Sequence, residues 1–484
     1  MTETEQARPQ VLVVGAGPAG LAAAVAARRR GASVMLVDSA DQLGGQFWRH
    51  LPPERPSRRE ARLHHGWARF QQLSTEVNDD PGCRVLTSAQ VWALEPAADD
   101  EPWAATVHVL VGPADSRRRE PLTIRPDALV IATGAYDRTL PFPGWDLPGV
   151  FTAGAAQALA KGERVAVGER VLVAGAGPFL LPVAESLTRA GSRVLGVLEA
   201  NRLGNLVRGW SHKPWQLLRA ARKGGELASY ATGQLRHRIP YRMGEAVIEA
   251  HGTDRVTAVT VARVDAEWRP VAGTERRVEV DAVCVSHGFT PRLELPIAAG
   301  CAIGSDRFVV VDEDQRTSVR GVFVAGELTS IGGADLALAE GTIAGHAAAG
   351  GAVVGSADVA AAVRERRVFR RFALRLEAAH GIRRGWTSWL RDDTTVCRCE
   401  EVTAGALRRT GVATPDAGLR SIKLTSRAGL GICQGRVCGR TVEELLASGF
   451  AGAPRNDPTT SDRRPIFSPI TIGELAQGAT GDAD

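Results

Sequence analysis

The chain has 484 residues, of which 44% are hydrophobic and 23% charged, and its 59 Lys+Arg nearly balance its 54 Asp+Glu. This length and composition predict about three globular domains of ordinary type. The arginine clusters are short, no nucleic-acid-binding motif accompanies them, and no apolar run reaches the roughly 18 residues of a membrane span. We therefore expect no nucleic acid partner and no transmembrane segment.

The compartment is predicted from the N terminus and from cysteine usage. The polar, acidic first residues do not resemble a signal peptide. Cys83, Cys284 and Cys301 stand alone in the sequence, which is typical of reduced, mostly buried thiols. These features predict a cytoplasmic protein.

A complete dinucleotide-binding motif follows the apolar run at 11–14, which predicts a buried parallel strand. A G-x-G-x-x-G triplet comes next, then an alanine-rich helix over 21–30, a strand at 34–37 and an acid at its end. The glycines allow a tight turn and close approach to a pyrophosphate at the helix N terminus, and the acid can bind ribose hydroxyls. The predicted binding residues are Gly15, Gly17, Pro18, Ala19, Gly20 and Asp38.

The same pattern recurs, with losses, after a predicted strand at 171–174. Gly175 and Gly177 match the first two glycines, but the third is replaced by leucine and Leu198 stands at the position of Asp38. Glu199 lies one residue later, where a strand side chain is expected to point to the opposite face. We expect either an altered nucleotide site, for NAD(P) or ATP, or a structural relic that holds neither.

Three later segments resemble the two-dinucleotide-binding-domain flavoproteins. Ala132, Thr133 and Gly134 resemble the strand–turn at which the chain leaves the flavin domain, and residues 283–291 resemble its return crossing. The run that ends in Gly326 and Glu327 resembles the late flavin motif, in which most members carry Asp instead of Glu. The resemblance implies that the first unit binds FAD.

Two more segments belong to the predicted flavin site. A helix predicted over 336–348, with Ala334 in its opening turn, offers a positive N-terminal dipole to the pyrimidine end of a reduced flavin. Gly45 and Gln46 lie in the segment 43–48, which in many relatives would carry a redox-active disulfide but here contains no cysteine. The second unit has no C-x-x-C either, so the electrons are expected to leave by another route.

That route is predicted by Cys397, Cys399, Cys433 and Cys438, which read C-x-C and then C-x-x-x-x-C. Two close pairs separated by a loop predict a four-thiolate metal site. The spacing resembles the helical 2Fe–2S domain of the bacterioferritin-associated ferredoxin type. Structural zinc, whose usual pairs are C-x-x-C, and an empty site are the alternatives.

The two cysteine segments, with 175–182 and 43–46, resemble one group of proteins along nearly the whole chain. This group comprises the A subunits of opine oxidases, the B subunit of hydrogen cyanide synthase and the alpha subunits of dye-linked proline and hydroxyproline dehydrogenases. The resemblance implies an electron-handling subunit of a heteromeric dehydrogenase that oxidises the C–N bond of an amino acid, imino acid or opine. It also implies a D-amino-acid-oxidase-like flavin beta subunit and a small 2Fe–2S ferredoxin-like subunit as partners.

Together these features predict an α/β fold with two nested Rossmann-like domains and a small helical C-terminal 2Fe–2S domain. The predicted parts are an FAD-binding domain (1–155 and 290–350), a second nucleotide-binding domain (156–289), a helical connector (351–393), a cluster domain (394–450) and a tail (451–484). A stand-alone NAD(P)H-dependent reductase and a nucleotide-binding assembly scaffold are the alternative functions. No catalytic residue is predicted; Trp48 and His287 are singled out only because their motifs lie near the expected flavin.

Overall fold

The structure is a computed structural model. It describes residues 5–479 except 53, 56–59, 117, 212–224, 226–229, 231, 416–417, 453, 455–461 and 465. The chain divides into two compact units. Unit 1 comprises residues 1–135, 291–373 and 463–484, and unit 2 comprises residues 136–290 and 374–462.

Unit 1 is built on a five-stranded parallel sheet of short apolar strands. The strands lie in the order Val322–Val324, Ala128–Ile131, Val11–Val14, Val34–Val37 and Cys83–Leu86. All four residues of Val11–Val14 and of Val34–Val37 are buried, as expected for strands covered on both faces. Helices Pro18–Arg29 and Gly333–Ala348 pack together so closely that a Cβ at Gly341 would lie 2.0 Å from the Ala19 carbonyl oxygen.

Unit 1 also contains a four-stranded sheet, in the order Glu5–Ala7, Glu120–Ile124, Ala105–Val111 and Ala89–Pro96. The C-terminal segment 463–479 packs here. Phe467 is buried in the adjoining core and its main-chain N–H donates to the Trp92 carbonyl oxygen at 2.7 Å. Helix Ile472–Ala479 brings Glu474 to Arg119, and both side chains are almost fully buried.

Unit 2 repeats the parallel sheet. Its strands lie in the order Val150–Thr152, Ala282–Ser286, Arg170–Gly175, Arg193–Glu199 and Tyr241–Met243. An antiparallel sheet of Glu245–His251, Ala258–Arg263 and Arg276–Glu279 accompanies it. The prediction of two nucleotide-binding folds of Rossmann type is thus confirmed by two sheets of the same construction.

The remaining elements are mostly helical. In unit 2 the cysteine-bearing region contains strands Thr395–Cys397 and Val402–Thr403 and helices Ala404–Ala413, Leu419–Ser426 and Gly439–Ala447. The other elements are Glu60–Leu63, Trp67–Asp79, Ala135–Asp137, Ala153–Ala158, Leu159–Glu163, Leu180–Arg189, Leu203–Ser211, Phe289–Pro291, Glu294–Ala298, Ala360–His380 and Arg384–Trp389. Within the described part of the chain, no helix is both long enough and apolar enough to cross a membrane.

Candidate functional site

The first glycine loop lies where three segments of unit 1 meet. Gly15 has a φ of +104°, and a Cβ there would lie 2.4 Å from the Ala132 carbonyl oxygen and 3.3 Å from the Thr133 Cα. A Cβ at Gly45 would lie 2.8 Å from the Gly17 Cα. The structure therefore brings the glycine loop, the 132–134 turn and the 43–46 segment together, at distances that only glycine permits at positions 15 and 45.

Asp38 lies at the end of its strand beside this loop. Its carboxylate accepts hydrogen bonds from the Ala16 N–H at 2.5 Å and from the Ala40 N–H at 2.7 Å. Burial raises the pKa of Asp38, and the two main-chain N–H groups oppose that rise. Asp38 is half-buried, so it keeps some exposed surface beside the loop.

The late motif is held by Glu340, a residue that sequence reasoning missed. The carboxylate of Glu340 accepts from the Gly326 N–H at 3.0 Å and from the Thr329 hydroxyl at 2.6 Å. Glu340 is fully buried, and this burial raises its pKa to about 6. Its signal in the sequence is a carboxylate in the middle turns of helix Gly333–Ala348, most of whose residues are small or apolar. The predicted Glu327 is half-buried and Ala334 is buried.

Several buried polar atoms of unit 1 have no hydrogen-bond partner in the protein. Four of these atoms among the described residues are Gln42 Oε1, Arg49 Nε, Thr133 Oγ1 and Ser330 Oγ. Gln42 and Arg49 flank the 43–48 segment, Thr133 belongs to the 132–134 turn, and Ser330 follows the late motif. Buried polar groups in proteins are normally hydrogen-bonded. Unpaired hydroxyl, amide and guanidinium groups fit a ligand that carries hydroxyls and a pyrophosphate, as FAD does. Gln46, in contrast, is exposed.

In unit 2 the second glycine loop retains an acid, which corrects the prediction for Glu199. A bulge after Val171 shifts the register of strand Arg193–Glu199, so that Glu199 pairs with Gly175. The bulge offsets the extra residue in the sequence and returns the Glu199 side chain to the loop. Its carboxylate accepts from the Gly177 N–H at 2.8 Å. The prediction that Glu199 points away from the loop is therefore wrong.

The sulfur atoms of the cysteine set are in contact in unit 2. Hydrogen bonds link Cys438 to Cys397 and to Cys433, and Cys433 to Cys399. The contacts with Cys438 lower the pKa of Cys397 to about 6 and that of Cys433 to about 4, and the same contacts raise the pKa of Cys438. Thiolates are the form that binds metals, and the contacts favour this form for Cys397 and Cys433. Burial, in contrast, raises the pKa of Cys399.

Main-chain N–H groups surround these sulfurs. Gly429 N–H donates to Cys397 Sγ at 3.4 Å, and the N–H groups of Gly435 and Val437 donate to Cys433. A Cβ at Gly431 would lie only 2.3 Å from the Cys399 Cβ, so the close approach of these segments requires glycine. Among the described residues, no group of three or more His, Cys, Asp or Glu side chains is placed to hold a single metal ion.

The remaining cysteines and the two singled-out residues, Trp48 and His287, are buried. Cys83, Cys284 and Cys301 are free and buried, as predicted for them. Trp48 lies in the unit 1 core, with its indole N–H donating to the His65 carbonyl oxygen at 3.0 Å. His287 is buried in unit 2, and this burial lowers its pKa to about 3, so the ring is neutral.

Residues 9–348 match the pyridine nucleotide-disulphide oxidoreductase family. Because this match covers most of the chain, the protein belongs to that family and is an FAD-dependent oxidoreductase. The chain is 32% identical over 477 residues to the A-type subunit of the opine oxidase of Rhizobium meliloti, covering 96% of this chain and 87% of that protein. It is also 32% identical over 445 residues to hydrogen cyanide synthase subunit HcnB of Pseudomonas aeruginosa, covering 88% of this chain and 90% of that one.

A solved structure is similar over almost the whole chain. The L-proline dehydrogenase of P. horikoshii superposes with a TM-score of 0.64 at 19% identity, covering 98% of this chain and 81% of that one. This likeness shows a shared fold. The two sequence relatives are named as subunits, which implies that proteins of this type assemble with others.

Proposed function

We propose that this chain is the electron-transferring flavin and iron–sulfur subunit of a heteromeric dehydrogenase or oxidase. The complex acts on the C–N bond of an amino acid, imino acid or opine. The observation that carries the proposal is the contact between cysteines from two segments, in a flavoprotein whose 43–48 segment has no cysteine for a disulfide. The relatives named for opine oxidation support the substrate class.

In this proposal the FAD lies at the first glycine loop. Gly15 and Gly17 admit the pyrophosphate to the N terminus of helix Pro18–Arg29, and Asp38 binds the ribose hydroxyls. Gly326, fixed by Glu340, and Ala334 line the opposite end. The other predicted contacts, Pro18, Ala19, Gly20, Gly45, Gln46, Ala132, Thr133, Gly134 and Glu327, complete the assignment.

Cys397, Cys399, Cys433 and Cys438 are assigned as ligands of a 2Fe–2S cluster. Such a site needs thiolates and N–H donors to sulfur, and the N–H groups of Gly429, Gly435 and Val437 supply the donors. A structural zinc requires four ligands around one point, and the described residues contain no group placed to hold a single metal ion. A 2Fe–2S cluster instead shares its four cysteine ligands between two irons. When bound, FAD accepts two electrons and releases them singly, and the cluster carries one electron at a time.

The proposed partners are a D-amino-acid-oxidase-like flavin beta subunit, which oxidises the substrate, and a small 2Fe–2S ferredoxin-like subunit. The alternative, a stand-alone NAD(P)H-dependent reductase, requires an open nicotinamide site in unit 2. The hydrogen bonds that other residues of unit 2 make to Glu199 count against it, because they occupy the acid that would bind the ribose.

Purified protein tests the cluster assignment. We expect about two iron atoms and two acid-labile sulfides per chain, with the charge-transfer absorption of a 2Fe–2S centre beside the flavin bands. Cys397→Ser and Cys433→Ser should each lose the iron. Cys301→Ser is the matched control, because Cys301 is a free, buried cysteine of unit 1, and it should retain the iron. One zinc per chain and no sulfide would contradict the assignment.

Co-expression tests the place of the chain in a complex. The chain should co-purify with a co-expressed D-amino-acid-oxidase-like protein from the same organism, and an opine or imino acid should then reduce the flavin of this chain. The chain alone should show no reduction by the same substrates. Equal reduction rates with and without a partner would contradict the proposed membership of a complex.

A further inference from the structure

Each of the two glycine loops donates a main-chain N–H to a carboxylate at the end of the following strand. Asp38 accepts from a loop N–H at Ala16 and from the N–H two residues further on, at Ala40. Glu199 accepts from the loop N–H of Gly177 and from the N–H two residues further on, at Asn201, at 3.0 Å. The donor in the second loop, Gly177, lies one position further along than Ala16 does in the first, since Gly15 corresponds to Gly175.

The difference lies in what else binds the second acid. Glu199 has no exposed surface, whereas Asp38 is half-buried. Three side chains donate to the Glu199 carboxylate: Asn201 Nδ2 at 3.1 Å, His380 Nδ1 at 3.1 Å and the Tyr241 hydroxyl at 3.4 Å. The hydrogen bonds described for Asp38 come from main-chain N–H groups. A carboxylate that already accepts five hydrogen bonds has little remaining capacity for ribose hydroxyls.

His380 is fixed in this position from the other side of its ring. The indole Nε1 of Trp210 is only a donor and lies 3.3 Å from His380 Nε2, so Nε2 accepts and Nδ1 carries the proton that is donated to Glu199. The side-chain amide of Asn201 also donates to the His380 carbonyl oxygen at 3.1 Å. Both the ring and the main chain of this residue are thereby held.

The neighbouring helices leave little space at this point. A Cβ at Gly177 would lie 3.8 Å from the His380 Cβ, so the side chain stands directly over the loop. A Cβ at Gly209 would lie 2.5 Å from the Ala379 Cα, which means that helix Leu203–Ser211 contacts the end of helix Ala360–His380 main chain to main chain. The C-terminal end of helix Ala360–His380 is therefore packed closely against helix Leu203–Ser211 and the second glycine loop.

We infer that the second nucleotide-binding fold is closed by the chain itself, with His380 bound to Glu199 where a dinucleotide would place its ribose. The loop that would bind a cofactor instead anchors the C-terminal end of helix Ala360–His380, which leads along the chain to Cys397. The inference concerns a binding site of unit 2 and does not depend on the metal that the cysteines bind. The sequence alone allowed two alternatives for the second unit, an altered nucleotide site and a structural relic. We infer a third, a site occupied by the chain's own side chains.

Binding of NADH and NADPH to the full-length flavoprotein tests this closure. Isothermal titration with each dinucleotide should give no saturable binding to the natural protein at concentrations up to about 1 mM, the range of weak ligands. NADH should also leave the flavin absorption unchanged. Saturable binding at micromolar concentrations, or rapid bleaching of the flavin, would overturn the inference without any variant.

A pair of variants tests the role of His380. His380→Ala removes the group over the loop and should give saturable dinucleotide binding with a Kd below about 0.1 mM, at least about tenfold tighter than the 1 mM limit set for the natural protein. His380→Asn is the matched control, since its amide can replace the Nδ1 donor to Glu199, and it should stay closed. If a natively folded His380→Ala protein binds dinucleotides no better than the natural one, His380 is not the closing group. If that variant does not fold, the titration of the natural protein decides.

Discussion

Glu340 shows how one side chain can connect stability to the flavin motif. Its carboxyl is fully buried and holds the Gly326 N–H and the Thr329 hydroxyl through one oxygen, while its other oxygen has no described partner. Burial raises its pKa from the ordinary 4.5 to about 6. In this pH range the folded state binds more protons than the unfolded state, so folding is favoured at low pH.

The pH dependence of stability should reveal this carboxyl. Its contribution is fully present below about pH 4.5 and is lost as the pH rises through 6, an effect of about 2 kcal/mol. Glu340→Gln keeps an acceptor for Gly326 but does not ionise. The free energy of unfolding of Glu340→Gln, relative to the natural protein, should therefore rise by about 2 kcal/mol between pH 4.5 and pH 7. Urea unfolding at a series of pH values measures it, and a constant difference would contradict the assignment.

Among individual residues, those that lie close together in the sequence, within one motif, could be predicted from the sequence. Gly15 and Asp38 lie within one strand–helix–strand unit, so their spacing alone places them together. Glu340 and Gly326 are joined across a loop and a helix, and no fixed spacing connects a helical carboxylate with a distant main-chain N–H. The contact depends on how tightly helix Gly333–Ala348 packs on helix Pro18–Arg29, which a single sequence does not encode in any short motif.

At the scale of elements, the strand Arg193–Glu199 marks the limit of pattern reasoning. Alternation of side chains predicts that Glu199 points away from the loop, and the bulge after Val171 reverses that result. A bulge adds a residue to one strand without changing its apolar character, so it leaves little trace in the sequence. The two parallel sheets themselves were predictable, because their strands are short apolar runs followed by glycine loops.

The C-terminal segment 463–479 gives a prediction about an element. Arg119 donates two hydrogen bonds to the Glu474 carboxylate, at 2.9 Å each, and both side chains are at most 5% exposed. Arg119→Met removes the partner of a buried charge, which costs about 3 kcal/mol. We expect the segment to detach, and limited proteolysis should then cleave before residue 463 at a much higher rate. Arg118→Met, which changes an exposed neighbour, should cleave at the natural rate.

Acid should detach the same segment in the natural protein. The guanidinium of Arg119 lowers the pKa of Glu474 from 4.5 to about 2, so the stabilisation is present above pH 4.5 and is lost as the pH falls towards 2. The Arg119→Met protein should lack this component of the pH dependence. A segment that stays protected in Arg119→Met at neutral pH would show that the apolar contacts of Phe467 suffice to hold it.

At the scale of the whole molecule, the two units share one fold but differ at the acid beside their glycine loops. Unit 1 keeps its acid half-buried beside unsatisfied polar groups, and the corresponding acid of unit 2 is fully buried and bound by the chain's own side chains. The cysteine set belongs to unit 2, and the residues proposed for FAD binding belong to unit 1. Gly175 and Gly177, predicted to bind a second nucleotide, lie in the loop of unit 2 that we infer to be closed. Each unit therefore provides one proposed redox site.

This division predicts that a glycine-to-alanine substitution in one unit removes the cofactor of that unit alone. Gly15→Ala forces a Cβ to within 2.4 Å of the Ala132 carbonyl oxygen, and Gly431→Ala forces one to within 2.3 Å of the Cys399 Cβ. The first variant should lose FAD and retain iron, and the second should lose iron and retain FAD at the natural content. Gly204→Ala, where an added Cβ meets no atom within 4 Å, should retain both. Flavin absorption and iron analysis of the purified variants measure these contents. The two losses should be independent, because sites built from separate units share no ligand. Loss of both cofactors in either variant, with native far-UV circular dichroism, would contradict this independence.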